Sequence, residues 1–266
     1  MLRRTLSALA MVPLLLIAIL YRDPWIFQIL CLLCIGVALH EYFAMVWPTY
    51  PAWQQWFATG TGLACTAWWI WGTGLVSIAL VIPTILVFLA FCFLGVQASL
   101  AEAHHRVGHF VFGIFYVAGM GVHLAWLRAL PDGAFWIFLV LAATWFNDTL
   151  AYFTGHAWGR HRMAPSLSPG KTWEGWLGGL AGSALGVLVL WWFWPNPLQL
   201  GEAVCLIFLS AIFGPMGDLA ESLLKRSSGV KDSGHVIPGH GGMLDRIDAL
   251  LFTAPLFYYF ALWVST

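Results

Sequence analysis

Apolar runs of membrane-spanning length alternate with short polar gaps along most of the chain. A helix that crosses a bilayer needs roughly 20 mostly apolar residues. The pattern predicts nine such spans, at about 6–21, 25–47, 55–71, 75–96, 109–128, 134–154, 173–194, 200–224 and 247–264, of which the first and third are short. Pro24, Pro48, Pro51, Pro131, Pro195 and Pro197 fall in the gaps, where a residue without an amide proton ends helices. The gaps are short, so successive helices are expected to pack as antiparallel neighbours. The expected fold is all-α: a polytopic integral membrane protein with about nine transmembrane helices, forming a single transmembrane domain over residues 1–266. Arg3 and Arg4 before the run Leu6 to Leu20 resemble a secretory signal, but the run ends in Tyr21-Arg22-Asp23-Pro24 with no small-residue cleavage site. It is read as a retained first span.

Composition agrees with this pattern. The chain is 61% hydrophobic and 9% charged, against about 45–50% and about 25% for a soluble domain. Its net charge is zero and it has no basic tract, which argues against nucleic acid as a partner. The five cysteines lie in apolar runs, and Cys31-x-x-Cys34 has no second pair or polar neighbours, so it reads as two packed thiols. Charge also orients the spans. With the amino terminus cytoplasmic, one side receives Arg3, Arg4, Arg106, Arg160, Arg162, Lys171, Lys225, Arg226, Lys231 and Arg246, and the other only Arg22 and Arg128. The loop 155–172 and the segment 217–248 then share the cytoplasmic face.

Segment 217–248 is a polar island holding nine of the chain's 24 charged residues. Asp148 and Asp218 fall inside predicted helices, each about seven residues from a cytoplasmic end, or roughly 10 Å at 1.5 Å per residue. Asp245 and Asp248, three apart, share one face of the last helix. Carboxylates on three helices at similar depth need charge compensation. Divalent cations supply it with hard oxygen ligands, and pairing with Lys225, Arg226 or Arg246 is the alternative. Lys171, Lys225, Arg226, Lys231 and Arg246, interleaved with these acids, suit phosphate groups. Pro238-Gly239-His240-Gly241-Gly242 allows positive φ and close backbone approach just before a helix start. Ser168 or Thr172 is placed to cap the helix at 173, with Glu174 in its first turn. Gly178, Gly182 and Gly186, every four residues, predict close helix packing.

These residues resemble a known signature. Ser222-x-x-Lys225-Arg226, four residues, Lys231-Asp232, then Pro238-Gly239-His240-Gly241-Gly242-x-x-Asp245-Arg246-x-Asp248 is similar to that of phosphatidate cytidylyltransferases, or CDP-diacylglycerol synthases. Asn147-Asp148-Thr149-x-Ala151-Tyr152-x-x-Gly155 and Pro165-x-x-Ser168-Pro169-x-Lys171-Thr172-Trp173-Glu174-Gly175 resemble upstream segments of that family, so the matched stretch is 147–248. The amino-terminal half resembles it only in hydropathy and in Glu41. His156 stands at a position often basic in the family. The resemblance implies a homodimer in the plasma (bacterial inner) membrane that uses magnesium, with room for a second cation, to convert CTP and phosphatidic acid to CDP-diacylglycerol and pyrophosphate. It implies Asp218 and Asp245 as first-choice metal ligands, with Asp148, Asn147 and Asp248 as second choices. Lys171, Lys225, Arg226, Lys231 and Arg246 would contact phosphates. Ser168, Ser222, Asp232, Gly239, His240, Gly241 and Gly242 would line the substrates. Rival readings are a polyprenol kinase, another lipid cytidylyltransferase, and a transporter using buried carboxylates.

Overall fold

The computed structural model describes residues 12–72, 83–90, 92–93, 100–194, 198–236 and 241–265. Most of the predicted span 75–96, the start of the span 6–21, and Pro238, Gly239 and His240 of the glycine turn lie outside the described residues. Nearly all described elements are helical. They are α1 (Trp25–Val46), α2 (Ala52–Trp71), α3 (Leu100–Gly113), α4 (Met120–Ala129), α5 (Gly133–Trp158), α6 (Trp173–Phe193), α7 (Leu200–Ser227) and α8 (Leu244–Ser265), with a π-helical turn, Ile114–Gly119, joining α3 to α4. Residues 12–20 and 83–90 are also helical. Six helical stretches among the described residues are long and apolar enough to cross a membrane: Trp25–Val46, Glu102–Ala129, Gly133–Trp158, Trp173–Phe193, Leu200–Ser227 and Leu244–Ser265. Helix α2, expected as a span, is not among them, because its glutamines and threonines dilute its hydropathy.

Two expectations are corrected. The loop after α5 is not irregular. It folds into an antiparallel hairpin, β1 (Arg162–Ala164) and β2 (Ser168–Thr172), with Arg162 opposite Thr172 and Ala164 opposite Ser168. A turn closed by Leu167 N–H on the Ala164 carbonyl reverses the chain there. Helices α5 and α7 also run past their predicted ends, to Trp158 and Ser227. Asp148 and Asp218 therefore lie about 14–15 Å along the axis from those ends rather than about 10 Å.

The chain forms two compact units. One comprises residues up to Trp126 together with Asp232–Asp245, and the other Leu127–Lys231 together with Arg246–Thr266. In the first unit, buried aromatic side chains of α1 meet α3. Tyr42 Oη donates to the His109 carbonyl at 3.2 Å, and Phe43 stacks on Phe110. Trp71 Nε1 donates to Gln28 Oε1 at 3.0 Å, tying the end of α2 to α1.

In the second unit the glycine stripe of α6 lies against α5. A methyl group at Gly182 would meet the Phe146 carbonyl and stand 3.0 Å from Asn147 Cα, and one at Gly186 would stand 2.6 Å from the Ala142 carbonyl oxygen. The close packing expected from the repeat is present. Asn147 Nδ2 donates to Ser183 Oγ at 2.9 Å inside this interface. Pro215 interrupts α7, since proline cannot donate to the carbonyl four residues before it. That carbonyl, Ala211 O, instead accepts from Trp176 Nε1 of α6 at 2.8 Å. The five cysteines are free thiols.

Candidate active site

In the second unit Asp218 is presented by α7 beside Gly217. A side chain at Gly217 would collide with α8, standing 3.0 Å from Ala249 Cα and 3.1 Å from the Asp248 carbonyl carbon. The glycine thus lets the helices approach closely enough for Asp148, Asp218 and Asp248 to feel one another's charge. Lys171 enters the same cluster from β2. Its Nζ lies 2.8 Å from Asp218 Oδ2 and donates to the Pro215 carbonyl at 3.2 Å. Asp218 Oδ1 accepts from Ser222 Oγ at 3.2 Å.

The hairpin that carries Lys171 is fastened at its base. Thr172 caps α6 by accepting from Gly175 N–H at 3.0 Å. Glu174 is not simply a dipole partner of that helix. Its Oε2 accepts from the Arg160 and His161 amides at 3.1 and 3.2 Å, and its Oε1 meets His161 Nδ1 at 2.6 Å. Backbone and side chain of the residues leading into β1 are therefore tied to the helix that the hairpin's last residue caps. This rigid mounting accounts for the lysine that capping alone left unexplained.

The structure adds a cationic partner of the acids that the sequence reading did not weigh. Lys225, Arg226 and Arg246 were candidates, and Lys171 is the one paired with Asp218. Lys225 Nζ is instead 2.7 Å from Glu221 Oε2, one turn earlier on α7. Arg226 donates to the Val230 carbonyl at 3.1 Å and to the Leu167 carbonyl at 3.4 Å. Lys171 thus pairs with Asp218, and the charge of Lys225, though joined to Glu221, also reaches Asp248. Among the described residues no group of three or more His, Cys, Asp and Glu side chains forms a preformed metal cage. The donor set nevertheless suits a hard dication. It offers carboxylate oxygens from three helices. Asn147, a second-choice ligand from sequence, is only 1% exposed and serves the α5–α6 interface.

In the first unit a different carboxylate arrangement surrounds the end of the glycine loop. Asp245 Oδ2 accepts from Gly242 N–H at 2.9 Å, Ser233 Oγ–H at 3.0 Å and Ser233 N–H at 3.1 Å. Asp245, a first-choice metal ligand from sequence, also organises the loop here, with Oδ2 accepting from three donors. Glu41, from α1, reaches the same segment. Its Oε2 accepts from the Leu244 amide at 2.9 Å and from Ser233 Oγ at 3.3 Å. Gly241 has φ +82°, as the expected turn requires. Lys231, Asp232 and Arg246 are exposed, and Ser168 is half-buried in β2.

Sequence reasoning missed Glu221, Ser233 and the His161–Glu174 pair. Glu221 was detectable, since an acid four residues before a lysine on a helix forms a favourable pair. Ser233 carried no signal, because its partners are distant in the chain or across a loop.

A profile of the cytidylyltransferase family matches residues 2–264. Escherichia coli K12 uncharacterized protein YnbB is 36% identical over 239 residues, covering 84% of this chain and 75% of the relative. The phosphatidate cytidylyltransferase of Staphylococcus haemolyticus is 40% identical over 146 residues, 54% of this chain and 56% of the relative. That of Brucella abortus biovar 1 is 43% identical over 149 residues, 56% and 55% respectively. The chain thus spans little more than half the length of the curated phosphatidate cytidylyltransferases it matches.

Proposed function

The chain belongs to the cytidylyltransferase family, and from that premise we propose that it transfers the CMP moiety of CTP to phosphatidic acid, giving CDP-diacylglycerol and pyrophosphate. The observation that carries this reading is the acidic cluster, in which Asp148, Asp218 and Asp248 come from three helices and the hairpin-mounted Lys171 lies 2.8 Å from Asp218. Such a cluster is suited to a reaction that brings two phosphate-bearing substrates and a cation together. A phosphate oxygen of the lipid attacks the α-phosphorus of CTP, and the bond to pyrophosphate breaks. Little covalent work falls to the protein, whose contribution is position and charge.

Asp148, Asp218 and Asp248 would hold magnesium, which when bound supplies positive charge against the phosphate oxygens. Lys171 supplies a fixed ammonium, kept in place by the hairpin. Arg226, Arg246 and Lys231 supply further positive charge for phosphate oxygens. The glycine loop contributes backbone amides to the nucleotide, and Asp245 holds the end of that loop in shape.

In this reading the protein has nine spans in a bacterial inner membrane, a cytoplasmic amino terminus, and its active site at the cytoplasmic face. The ten-to-two distribution of Arg and Lys supports that orientation. It works as a homodimer.

The test is an assay of the detergent-purified protein with magnesium, phosphatidic acid and CTP labelled separately at the α- and γ-phosphate. The α-label should enter lipid and the γ-label should leave in pyrophosphate. A γ-label in lipid would make the protein a lipid kinase. No lipid label with phosphatidic acid, but transfer of the α-label to a different lipid acceptor, would change the substrate assignment.

A further inference from the structure

Helix α1 contributes a charged residue to a place where a membrane helix has no structural need of one. Glu41 is 4% exposed and lies among apolar neighbours of α1. Burying a carboxylate there is costly unless donors reach it. Two do, and both belong to segment 233–244, about 200 residues away in the chain. They are the Leu244 amide at 2.9 Å and Ser233 Oγ–H at 3.3 Å, both directed to Oε2. The other oxygen, Oε1, is buried and has no hydrogen-bond partner.

The backbone of the loop is shaped around this carboxylate. A methyl group on Gly234 would stand 2.5 Å from Glu41 Oε1 and 2.7 Å from its Cδ, and one on Gly242 would stand 2.6 Å from Glu41 Oε2. Two glycines, one on each side of the turn, therefore leave room for the same side chain. Ser233 then links the two acids, since its hydroxyl lies within reach of both Glu41 Oε2 and Asp245 Oδ2. One hydroxyl proton cannot serve both fully. Asp245 keeps the Ser233 and Gly242 amides besides, whereas Glu41 takes the Leu244 amide at the start of α8.

We propose that Glu41 is a positioning residue for nucleotide binding, the post that holds the two ends of the glycine loop, Ser233 and Gly234 at one and Gly242 and Leu244 at the other. It touches neither substrate. It acts by holding both the loop's first serine and the first residue of α8. This rests on the reading of the glycine loop as the nucleotide cradle. It adds that the cradle is built against the amino-terminal half of the chain, the half that resembles the family least in sequence.

The test combines kinetics with hydrogen exchange on the full-length protein in detergent. Glu41→Gln keeps the shape but loses the charge that strengthens both hydrogen bonds. The KM for CTP should rise about tenfold, the loss expected for weakened charge-assisted hydrogen bonds, while the KM for phosphatidic acid stays within about twofold and kcat within about threefold. Amide exchange in the peptide covering residues 241–246 should quicken, with exchange in α5 and α6 unchanged. Gly234→Ala should reproduce the CTP defect in the wild-type background and add nothing in a Glu41→Ala background, since the clash is with Glu41 alone among the nearest atoms. Equal losses for both substrates, or additive effects of Gly234→Ala and Glu41→Ala, would overturn the proposal. So would unchanged exchange at 241–246 in Glu41→Gln. If the wild-type protein transfers no CMP, the parent reading fails, and the exchange measurement still decides whether Glu41 holds the loop.

Discussion

The two units use the same side chain, a carboxylate on or beside a helix, in opposite ways. In the first, Asp245 and Glu41 are met by backbone amides and a serine hydroxyl, neutral donors that fix geometry. In the second, Asp148, Asp218 and Asp248 come within reach of one another's charge, with Lys171 paired to Asp218 and Lys225 shared with Glu221. Amide donors satisfy an acid's oxygen without removing its charge. A cluster short of positive charge retains an electrostatic demand that a cation can meet. Acids of the first kind shape a site, and acids of the second kind charge it.

The sharpest way to break this comparison is to neutralise one acid in each unit. Asp218→Asn should lower kcat/KM by about 100- to 1000-fold, the scale for losing a principal electrostatic group, and should raise the magnesium concentration needed for half-maximal rate. Asp245→Asn should also impair activity but leave that magnesium requirement unmoved, because its carboxylate organises the loop. A shifted magnesium requirement in Asp245→Asn alone would reverse the assignment of roles. In the unaltered protein a chelator should abolish transfer, and added magnesium should restore it.

Lys171→Met comes next. It removes the one cation paired with Asp218, and a loss of about 10- to 100-fold in kcat/KM is expected if the ammonium meets phosphate in the reaction. The magnesium requirement should fall or stay the same, since the acids lose their internal competitor. A rise would mean that Lys171 helps build the cation site rather than competing for it.

Much of this arrangement was legible in the sequence, and the illegible parts share a cause. Helix positions followed from apolar runs, and the glycine stripe at 178, 182 and 186 announced the α5–α6 interface, because both signals are local and periodic. The pairing of Lys171 with Asp218 was not legible. It depends on a hairpin folding back, and the loop 155–172 has neither the alternation nor the β-branched residues that mark strands. The ends of α5 and α7 were misjudged because hydropathy marks where lipid ends and not where the helix ends. Sequence displays the charge of Asp245 but not the three N–H and O–H donors around it. Glu41 stood out as an acid within an apolar run and as a point of family resemblance, with no role attached. What it holds lies far away in the chain, and no spacing rule connects residue 41 to residue 244.

The packing interface gives a smaller test, on stability. Gly182→Leu forces a branched side chain against the Phe146 carbonyl and Asn147 Cα, which are backbone atoms that cannot swing aside. A loss of about 1–3 kcal/mol is expected, read as a lower unfolding temperature by the fluorescence of the chain's 17 tryptophans. Activity should fall with it, because α5 carries Asp148. An unchanged unfolding temperature would mean that the two helices separate more easily than their contact implies.

The smallest effect is expected at the cap, and it separates stability from positioning. Thr172→Ala removes the hydroxyl that accepts from Gly175 N–H, a change that costs about 1 kcal/mol at a typical helix start. Here Thr172 is also the last residue of β2, directly after Lys171, and Glu174 ties His161, just before β1, to the same helix turn. Loss of the cap should therefore loosen the lysine more than the helix. The expected result is a fall of about twofold to fivefold in kcat/KM with an almost unchanged unfolding temperature, and Thr172→Ser should restore full activity by returning the acceptor oxygen. If Thr172→Ala lowers the unfolding temperature and leaves the rate untouched, the hairpin does not hold Lys171 through its cap, and the fastening must lie with Glu174 and His161 alone.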